Sequence, residues 1–376
     1  MAWDIRSLVP PGVRGIEPYQ PGKPLAELAR EYGIDDAIKV ASNENPLGPS
    51  PRALEAARSA LAEIGRYPDG GGFALKRALA KKLGVAPEQI TLGNGSNDVL
   101  ELIARAFVAA DDEVIYSEHA FAVYELAARA VGARPVVVPA RAFGHDLGAM
   151  QQAITARTRL VFIANPNNPT GTWVGRAQLE AFLRAVPAHV LVAIDEAYFE
   201  YVEEPDYPNA VQWLPHIPNL IVTRTFSKAY GLAGLRVGYG VSQADVADYL
   251  NRVRQPFNVN NVALAAAEAA LADDAHIGRT IALNRKGREQ LIAGLERLRL
   301  SYIPSVGNFI TADLRRPAPP VYQDLLRAGV IARPIASYGL PNHLRVTIGG
   351  AAENERFLAA LATALGNATA RASANV

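Results

Sequence analysis

Residues 160–171 read LVFIANPNNPTG: five apolar residues without a polar break, then a turn of Asn, Pro and Gly. A run that is apolar throughout, with no alternation, suits a strand covered on both faces, as in a parallel sheet. The same design returns in residues 190–198 (VLVAIDEAY) and 220–228 (LIVTRTFSK), where the apolar or β-branched runs 190–194 and 220–223 give way to polar residues. Between about residues 50 and 260 such runs alternate with amphipathic stretches, the signature of βαβ units. Leu75, Leu79 and Leu83 share one helical face ahead of Gly84, which predicts a helix closed by a glycine. Val99, Ile103, Ala106 and Phe107 predict another, with Ser96 and Asn97 as its caps. The fold class expected is α/β, a mostly parallel sheet with helices on both faces.

Beyond about residue 262 the pattern changes to long helices. One is carried by Ile281, Leu291, Ile292, Leu295 and Leu298, the last by Phe357, Leu358, Leu361 and Leu365, with strand candidates at 308–312 and 344–348 between them. This predicts a large domain over residues 51–262 and a smaller α+β domain over 263–376, which the N-terminal arm, residues 1–50, joins. Residues 10–24, rich in Pro and Gly and without an apolar face, predict an extended arm that orders when substrate binds. The small, polar residues 366–376 predict a frayed end.

Composition narrows the function classes. The 376 residues are 49% hydrophobic, enough for two cores. Lys and Arg total 38 against 37 Asp and Glu, a net charge of +1, so nothing draws the whole chain to nucleic acid or an anionic membrane, and an anion site must be local. With no Cys, thiolate nucleophiles, disulfides and cysteine metal sites are excluded. The six His residues, His119 and His145 among them, show no ligand spacing, so no metal is expected. No run approaches the roughly 20 apolar residues of a membrane span, and the opening residues lack a signal's apolar core; a cytoplasmic enzyme is the expectation.

Four segments carry chemistry. Residues 223–240 (TRTFSKAYGLAGLRVGYG) set Lys228 among hydroxyls, glycines and Arg236. A lysine there is either a solvated surface residue or a nucleophile in an anion-binding setting. Asp195, at the end of a buried strand, suits a metal ligand, a helix cap or the partner of a buried cation such as a protonated pyridine nitrogen. The NPNNPTG turn places Asn168 where an amide can donate to a phenolate-type oxygen. Residues 93–98 (GNGSND) form a glycine-rich turn opening a helix, a phosphate-binding arrangement; the competing dinucleotide fingerprint lacks its third glycine. In open α/β sheets ligands bind beyond the carboxyl ends of strands, where all four segments are expected.

Together with residues 42–50 (SNENPLGPS), Tyr67-Pro68-Asp69, residues 257–260 (FNVN) and 344–349 (LRVTIG), these segments resemble the fold-type I pyridoxal-phosphate aminotransferases, and among them the histidinol-phosphate aminotransferases, over essentially the whole chain. The resemblance implies pyridoxal 5'-phosphate as cofactor, with Lys228 forming its Schiff base and moving the substrate proton, and Asp195 pairing with the ring nitrogen. It implies Asn168 and Tyr198 on the ring oxygen and Phe121 against the ring face. The phosphate would be held by the backbone of Ser96 and Asn97 and by Thr225, Ser227 and Arg236, joined by Tyr67 of a partner subunit in a homodimer. Arg345 would clamp the substrate's anionic end, and Tyr19, Asn43 and Arg333 would line the substrate pocket. Two departures stand out: Asn97-Asp98 where many members carry an acidic pair, and Phe121 where many carry Tyr. Backbone groups and a flat ring are what those positions use, so the cofactor assignment is unaffected.

The implied reaction exchanges an amino group between glutamate/2-oxoglutarate and histidinol phosphate/imidazole-acetol phosphate, in histidine biosynthesis. Arg345 can meet a carboxylate or a phosphate, which leaves an aromatic amino-acid aminotransferase open. A decarboxylase of a phosphorylated amino acid shares the lysine, because the bond that breaks is decided by geometry. A regulator's effector domain has neither helix-turn-helix segment nor basic patch here to support it.

Overall fold

The computed structural model describes residues 3–18 and 20–374; Tyr19 lies outside them. The chain opens with α1 (Pro11–Arg14), α2 (Leu25–Tyr32) and β1 (Ile38–Lys39), followed by α3 (Pro51–Ala60) and α4 (Phe73–Leu83). Strand and helix then alternate: β2 (Ile90–Gly93), α5 (Ser96–Phe107), β3 (Glu113–Ser117), α6 (Val123–Ala130), β4 (Arg134–Val138), α7 (Leu147–Gln152), β5 (Thr158–Ala164), α8 (Arg176–Ala185) and β6 (Leu191–Asp195). Next come β7 (Leu220–Thr225), β8 (Gly238–Val241), α9 (Ala244–Val253), α10 (Asn261–Leu271) and the long α11 (Asp274–Arg297). The chain closes with β9 (Ser301–Ile303), β10 (Phe309–Asp313), α12 (Ala318–Arg327), β11 (Val330–Ile331), β12 (Arg333–Ile335), β13 (Leu340–Thr347) and α13 (Ala351–Ala374).

Seven strands form one sheet in the order β2-β8-β7-β6-β5-β3-β4. Neighbours are parallel except β8, which runs against both β7 and β2. The apolar runs explain themselves here. Leu160, Phe162 and Ala164 enter one core with α5 and α6, while Val161 and Ile163 enter the other with α4, α8 and α10. A strand alternates faces, and both faces of this sheet are covered, so every position must be apolar. Truncating the fully buried Phe162 to Ala would cost about 3–5 kcal/mol. This is the α/β architecture expected, with the Leu75, Leu79, Leu83 helix ending at Gly84 in the left-handed region.

A second, antiparallel sheet, β12-β13-β10-β9, packs on α11, α12 and α13 around Leu291, Leu295, Ile310, Leu344, Val346 and Phe357. The arm joins these elements through a separate two-stranded sheet, in which β1 pairs in parallel with β11, and Leu28 and Ala41 pack on Leu326 and Ile331.

Several local expectations need correction. The helix after the GNGSND turn is capped by Gly95 at φ 84, with no side-chain cap bond, so Ser96 and Asn97 are its first residues and leave their N–H groups open. The arm is not extended throughout, since α1 rests against α6, so closely that a Cβ on Gly12 would lie 2.2 Å from the Arg129 carbonyl oxygen. The C-terminal residues continue α13 to Ala374, in keeping with their alanine content. We propose that the small domain begins after Leu271, not at residue 263, because α10 packs on α3 and α4 and sinks Ala263, Ala266, Ala267 and Ala270 into the large core.

Candidate active site

Strands β2, β5, β6 and β7 point the same way, so their carboxyl ends share one edge of the sheet. There the four segments converge on a cleft of about 170 Å³ roofed by the arm and the second sheet. Ser96, Asn97, Phe121, Asn168, Asp195, Tyr198, Thr225, Ser227, Lys228, Arg236, Arg345, Asn43 and Arg333 all line it. Tyr67 does not: it is 83% exposed and stacks on Phe257 at 4.7 Å, beside a separate groove.

Lys228 follows β7, and its Nζ donates to the Ser42 carbonyl at 2.9 Å. Burial, then the neighbouring Arg345 charge and Arg236, pull the amine down to about 7, against the opposing pull of Glu44 and Asp195. A lysine in that range is partly neutral near neutral pH, as a nucleophile requires. Asp195, the last residue of β6, is 5% exposed. Burial lifts its carboxyl to about 6, while hydrogen bonds from Tyr124 (3.0 Å), Thr223 (3.2 Å) and the Ala197 backbone act to hold it down. A carboxylate so placed wants a cation in the cleft.

At the helix end, backbone approaches backbone. A Cβ on Gly238 would lie 2.4 Å from the Ser96 nitrogen, and one on Gly95 would lie 2.5 Å from a terminal nitrogen of Arg236. Glycine at both places brings the open first turn of α5, the Arg236 guanidinium and Ser227 around one point, with Arg236 bonded to the Ser227 hydroxyl at 3.2 Å. Thr225 accepts from the Ser227 backbone N–H at 3.1 Å, shaping that loop. Such a nest of N–H donors and positive charge binds phosphate.

Opposite, Arg345 of β13 donates to the Asn168 side-chain oxygen and, at 2.6 Å, to the Ala41 carbonyl. With its oxygen engaged by Arg345, Asn168 keeps its amide N–H groups as donors beside the cleft that it lines. Tyr198 accepts from the Asn43 amide at 2.9 Å, and burial raises its phenol to about 12. Arg333 lines the rim and donates to the Gln20 carbonyl. Phe121 meets the ring of Tyr124 edge-on at 6.0 Å.

Sequence reasoning missed Tyr124, Thr223 and Thr347, together with the carbonyls of Ala41 and Ser42. The one sequence signal for Thr223 is its place two residues before Thr225 on the same strand, which puts both side chains on one face of the sheet. Among the described residues no cluster of three His, Asp or Glu could hold a metal, and no helix is long and apolar enough to cross a membrane.

Comparison with known proteins gives the chain its family. The family of aminotransferases of class I and II matches residues 35–361. Histidinol-phosphate aminotransferase 2 of Pseudomonas fluorescens is 61% identical over 370 residues, 98% of this chain and 100% of that one. Histidinol-phosphate aminotransferase 1 of Nitrosococcus oceani is 58% identical over 354 residues, 94% of this chain and 96% of its own. Among solved structures, histidinol-phosphate aminotransferase from Sinorhizobium meliloti, crystallised in complex with pyridoxal-5'-phosphate, superposes with a TM-score of 0.87 at 30% identity, covering 96% of this chain and 98% of that one. This chain belongs to the class I and II aminotransferases and, within them, to the histidinol-phosphate aminotransferase family.

Proposed function

We propose that this protein is a pyridoxal-phosphate-dependent aminotransferase that passes an amino group between glutamate and imidazole-acetol phosphate, giving 2-oxoglutarate and histidinol phosphate in histidine biosynthesis. One observation carries the reading: a lysine amine held near neutrality and a buried carboxylate, from the ends of adjacent strands, face one cleft that also holds an open helix N-terminus.

The residues fit the cofactor. Its phosphate matches the nest of Ser96, Asn97, Thr225, Ser227 and Arg236, whose approach a methyl on Gly95 or Gly238 would block. Its pyridine nitrogen matches Asp195, which pairing with a cation would return to its ionised form. Asn168 and Tyr198 can donate to its ring oxygen, and Phe121 offers a flat face. When bound, the cofactor supplies an electron sink for the substrate's α-carbon and the carrier for the amine.

The protein supplies the rest. Lys228 holds the cofactor and, once released, carries the proton at the substrate carbon, which its lowered basicity permits at neutral pH. Arg345, tied to Asn168 and Ala41, presents a fixed planar fork to the carboxylate of glutamate or the phosphate of the alternative substrate. Arg333 and Asn43 complete the pocket wall. The relatives' activity favours histidinol phosphate over aromatic amino acids.

The active form we propose is a cytoplasmic homodimer without nucleic-acid partners, in which Tyr67 serves the neighbouring subunit's phosphate site. Support comes from its exposure outside its own cleft, near the exposed apolar side chains Leu61, Ile64 and Phe73. The direct assay supplies glutamate and imidazole-acetol phosphate and follows the products. Equal amounts of histidinol phosphate and 2-oxoglutarate, without carbon dioxide, are expected; release of carbon dioxide instead would make the protein a decarboxylase.

A further inference from the structure

Asn43 occupies the left-handed region at φ 56, 1% exposed, and all of its polar groups are engaged. Its backbone N–H donates to Thr347 Oγ1 at 2.8 Å, and its carbonyl accepts from Asn308 Nδ2 at 3.0 Å. Its side-chain Nδ2 donates to the Tyr198 hydroxyl at 2.9 Å, and its Oδ1 accepts from Thr347 Oγ1 at 3.3 Å. Asn tolerates this backbone better than most residues; its two side-chain bonds, to Tyr198 and Thr347, fix the amide, and its two backbone bonds, to Thr347 and Asn308, hold the main chain.

The orientation of the amide follows from Thr347. That hydroxyl oxygen already accepts from the Asn43 N–H, so its single hydrogen needs an acceptor, and Asn43 Oδ1 is the oxygen facing it. Nδ2 therefore faces Tyr198. An amide nitrogen only donates, so the Tyr198 oxygen must accept, and the phenol's own hydrogen is left for the cleft that Tyr198 lines.

We infer that Thr347 and Asn43 are positioning residues for Tyr198: the Thr347 hydroxyl sets the direction of the Asn43 amide, and the amide sets the direction of the Tyr198 proton. The inference rests on the cofactor reading, in which that proton serves the ring oxygen. With the opposite amide orientation Tyr198 would donate to Asn43 and present a lone pair to an anionic oxygen, which is repulsive. The chain of contacts joins the arm, β13 and the end of β6, so the large sheet's phenol is aimed by the second sheet. The ionisable groups facing Tyr198 are Arg345 from β13, Asp195 from β6, Tyr338 from the segment before β13, Tyr124 from α6, Tyr201 from the turn that follows Tyr198, and Lys228, whose Nζ lies 5.8 Å from the ring centre.

The test uses the protein reconstituted with pyridoxal phosphate and reads the pH midpoint of the bound chromophore's absorption change, without turnover. Donation to the ring oxygen stabilises its anion and eases loss of the shared proton, so misdirecting Tyr198 should raise the midpoint. Thr347→Val, which keeps the shape and removes the hydroxyl, is expected to move it up by about half a pH unit or more, while Thr347→Ser restores the original value. Asn43→Gly, suited to the same φ, should give the same shift by removing the amide. In a Tyr198→Phe background neither change should add a shift. An unmoved midpoint in Thr347→Val and Asn43→Gly, or a shift that persists without the Tyr198 hydroxyl, would overturn the inference. Absence of any chromophore in the unsubstituted protein would instead remove the cofactor reading on which it rests.

Discussion

Tyr124 Oη donates to Asp195 Oδ2 at 3.0 Å, a contact between a fully buried phenol and a carboxylate that is 5% exposed. Tyr124 is itself wedged by a stacked Phe162 at 4.6 Å, so the donor cannot swing away. Burial favours the neutral acid, and this hydrogen bond is the largest influence opposing it. Without it, Asp195 ionises only at higher pH. Tyr124→Phe should therefore weaken cofactor binding by about tenfold at pH 6 and by less at pH 8, in line with the roughly 1.5–3 kcal/mol of a hydrogen bond to a charged group. Cofactor titration of the apoprotein at the two pH values checks this; an equal loss at both would show that Tyr124 acts by packing alone.

The apolar strands were legible because burial on both faces leaves residues 160–164 no polar position, and the glycine-rich turn was legible because a close approach of backbone and of Arg236 leaves no room there for a Cβ. Tyr124 was not legible. In sequence it is one aromatic in an amphipathic helix, and its partner lies 71 residues away. Asn43 and Thr347 are 304 residues apart, and Tyr198 is 155 from Asn43, so their association exists only once both sheets are built. The capping of α5 misled for a related reason: Ser96 reads as a cap by type, yet a capping side chain would consume an N–H that the site leaves open. The end of α13 misled because polar composition signalled fraying while alanine content favours helix.

The basicity of Lys228 sets a kinetic expectation. Burial lowers the amine first, and the positive charge of Arg345 lowers it further, to about 7. Only the neutral amine captures the cofactor, so the capture rate in the apoprotein should rise through pH 7 and level off well below the 10.5 of an ordinary lysine. Arg345→Gln removes a like charge and should move this midpoint upward. A rate still climbing at pH 10 in the unsubstituted protein would contradict the assigned environment.

Gly238 offers a steric test of the phosphate nest. A methyl group there would lie 2.4 Å from the Ser96 nitrogen and 3.0 Å from the Arg224 carbonyl oxygen, between two stretches of backbone that cannot step aside. Gly238→Ala should reduce cofactor affinity by about tenfold or more. Gly234→Ala, with nothing within 4 Å of the new methyl, is the matched control and should bind as before. Equilibrium binding of pyridoxal phosphate to the two variants separates them.

Tyr67, 83% exposed and outside its own cleft, makes the proposed homodimer testable by mixing. Tyr67→Ala and Lys228→Ala subunits should each be weak alone. Unfolded together and refolded, they should regain about a quarter of the unsubstituted activity, because half of a random mixture is hybrid and one of the two sites in each hybrid is intact. No regain would place Tyr67 outside the partner's site.

The most direct measurement is a single half-turnover followed by absorbance, with histidinol phosphate, glutamate and phenylalanine added separately to the cofactor-loaded protein and to Lys228→Ala. Histidinol phosphate is expected to convert the bound chromophore to its aminated form well ahead of phenylalanine, glutamate is expected to convert it too, and Lys228→Ala is expected to do so with none of the three at a comparable rate. Phenylalanine reacting faster than histidinol phosphate, or full-rate conversion without Lys228, would contradict the proposed function.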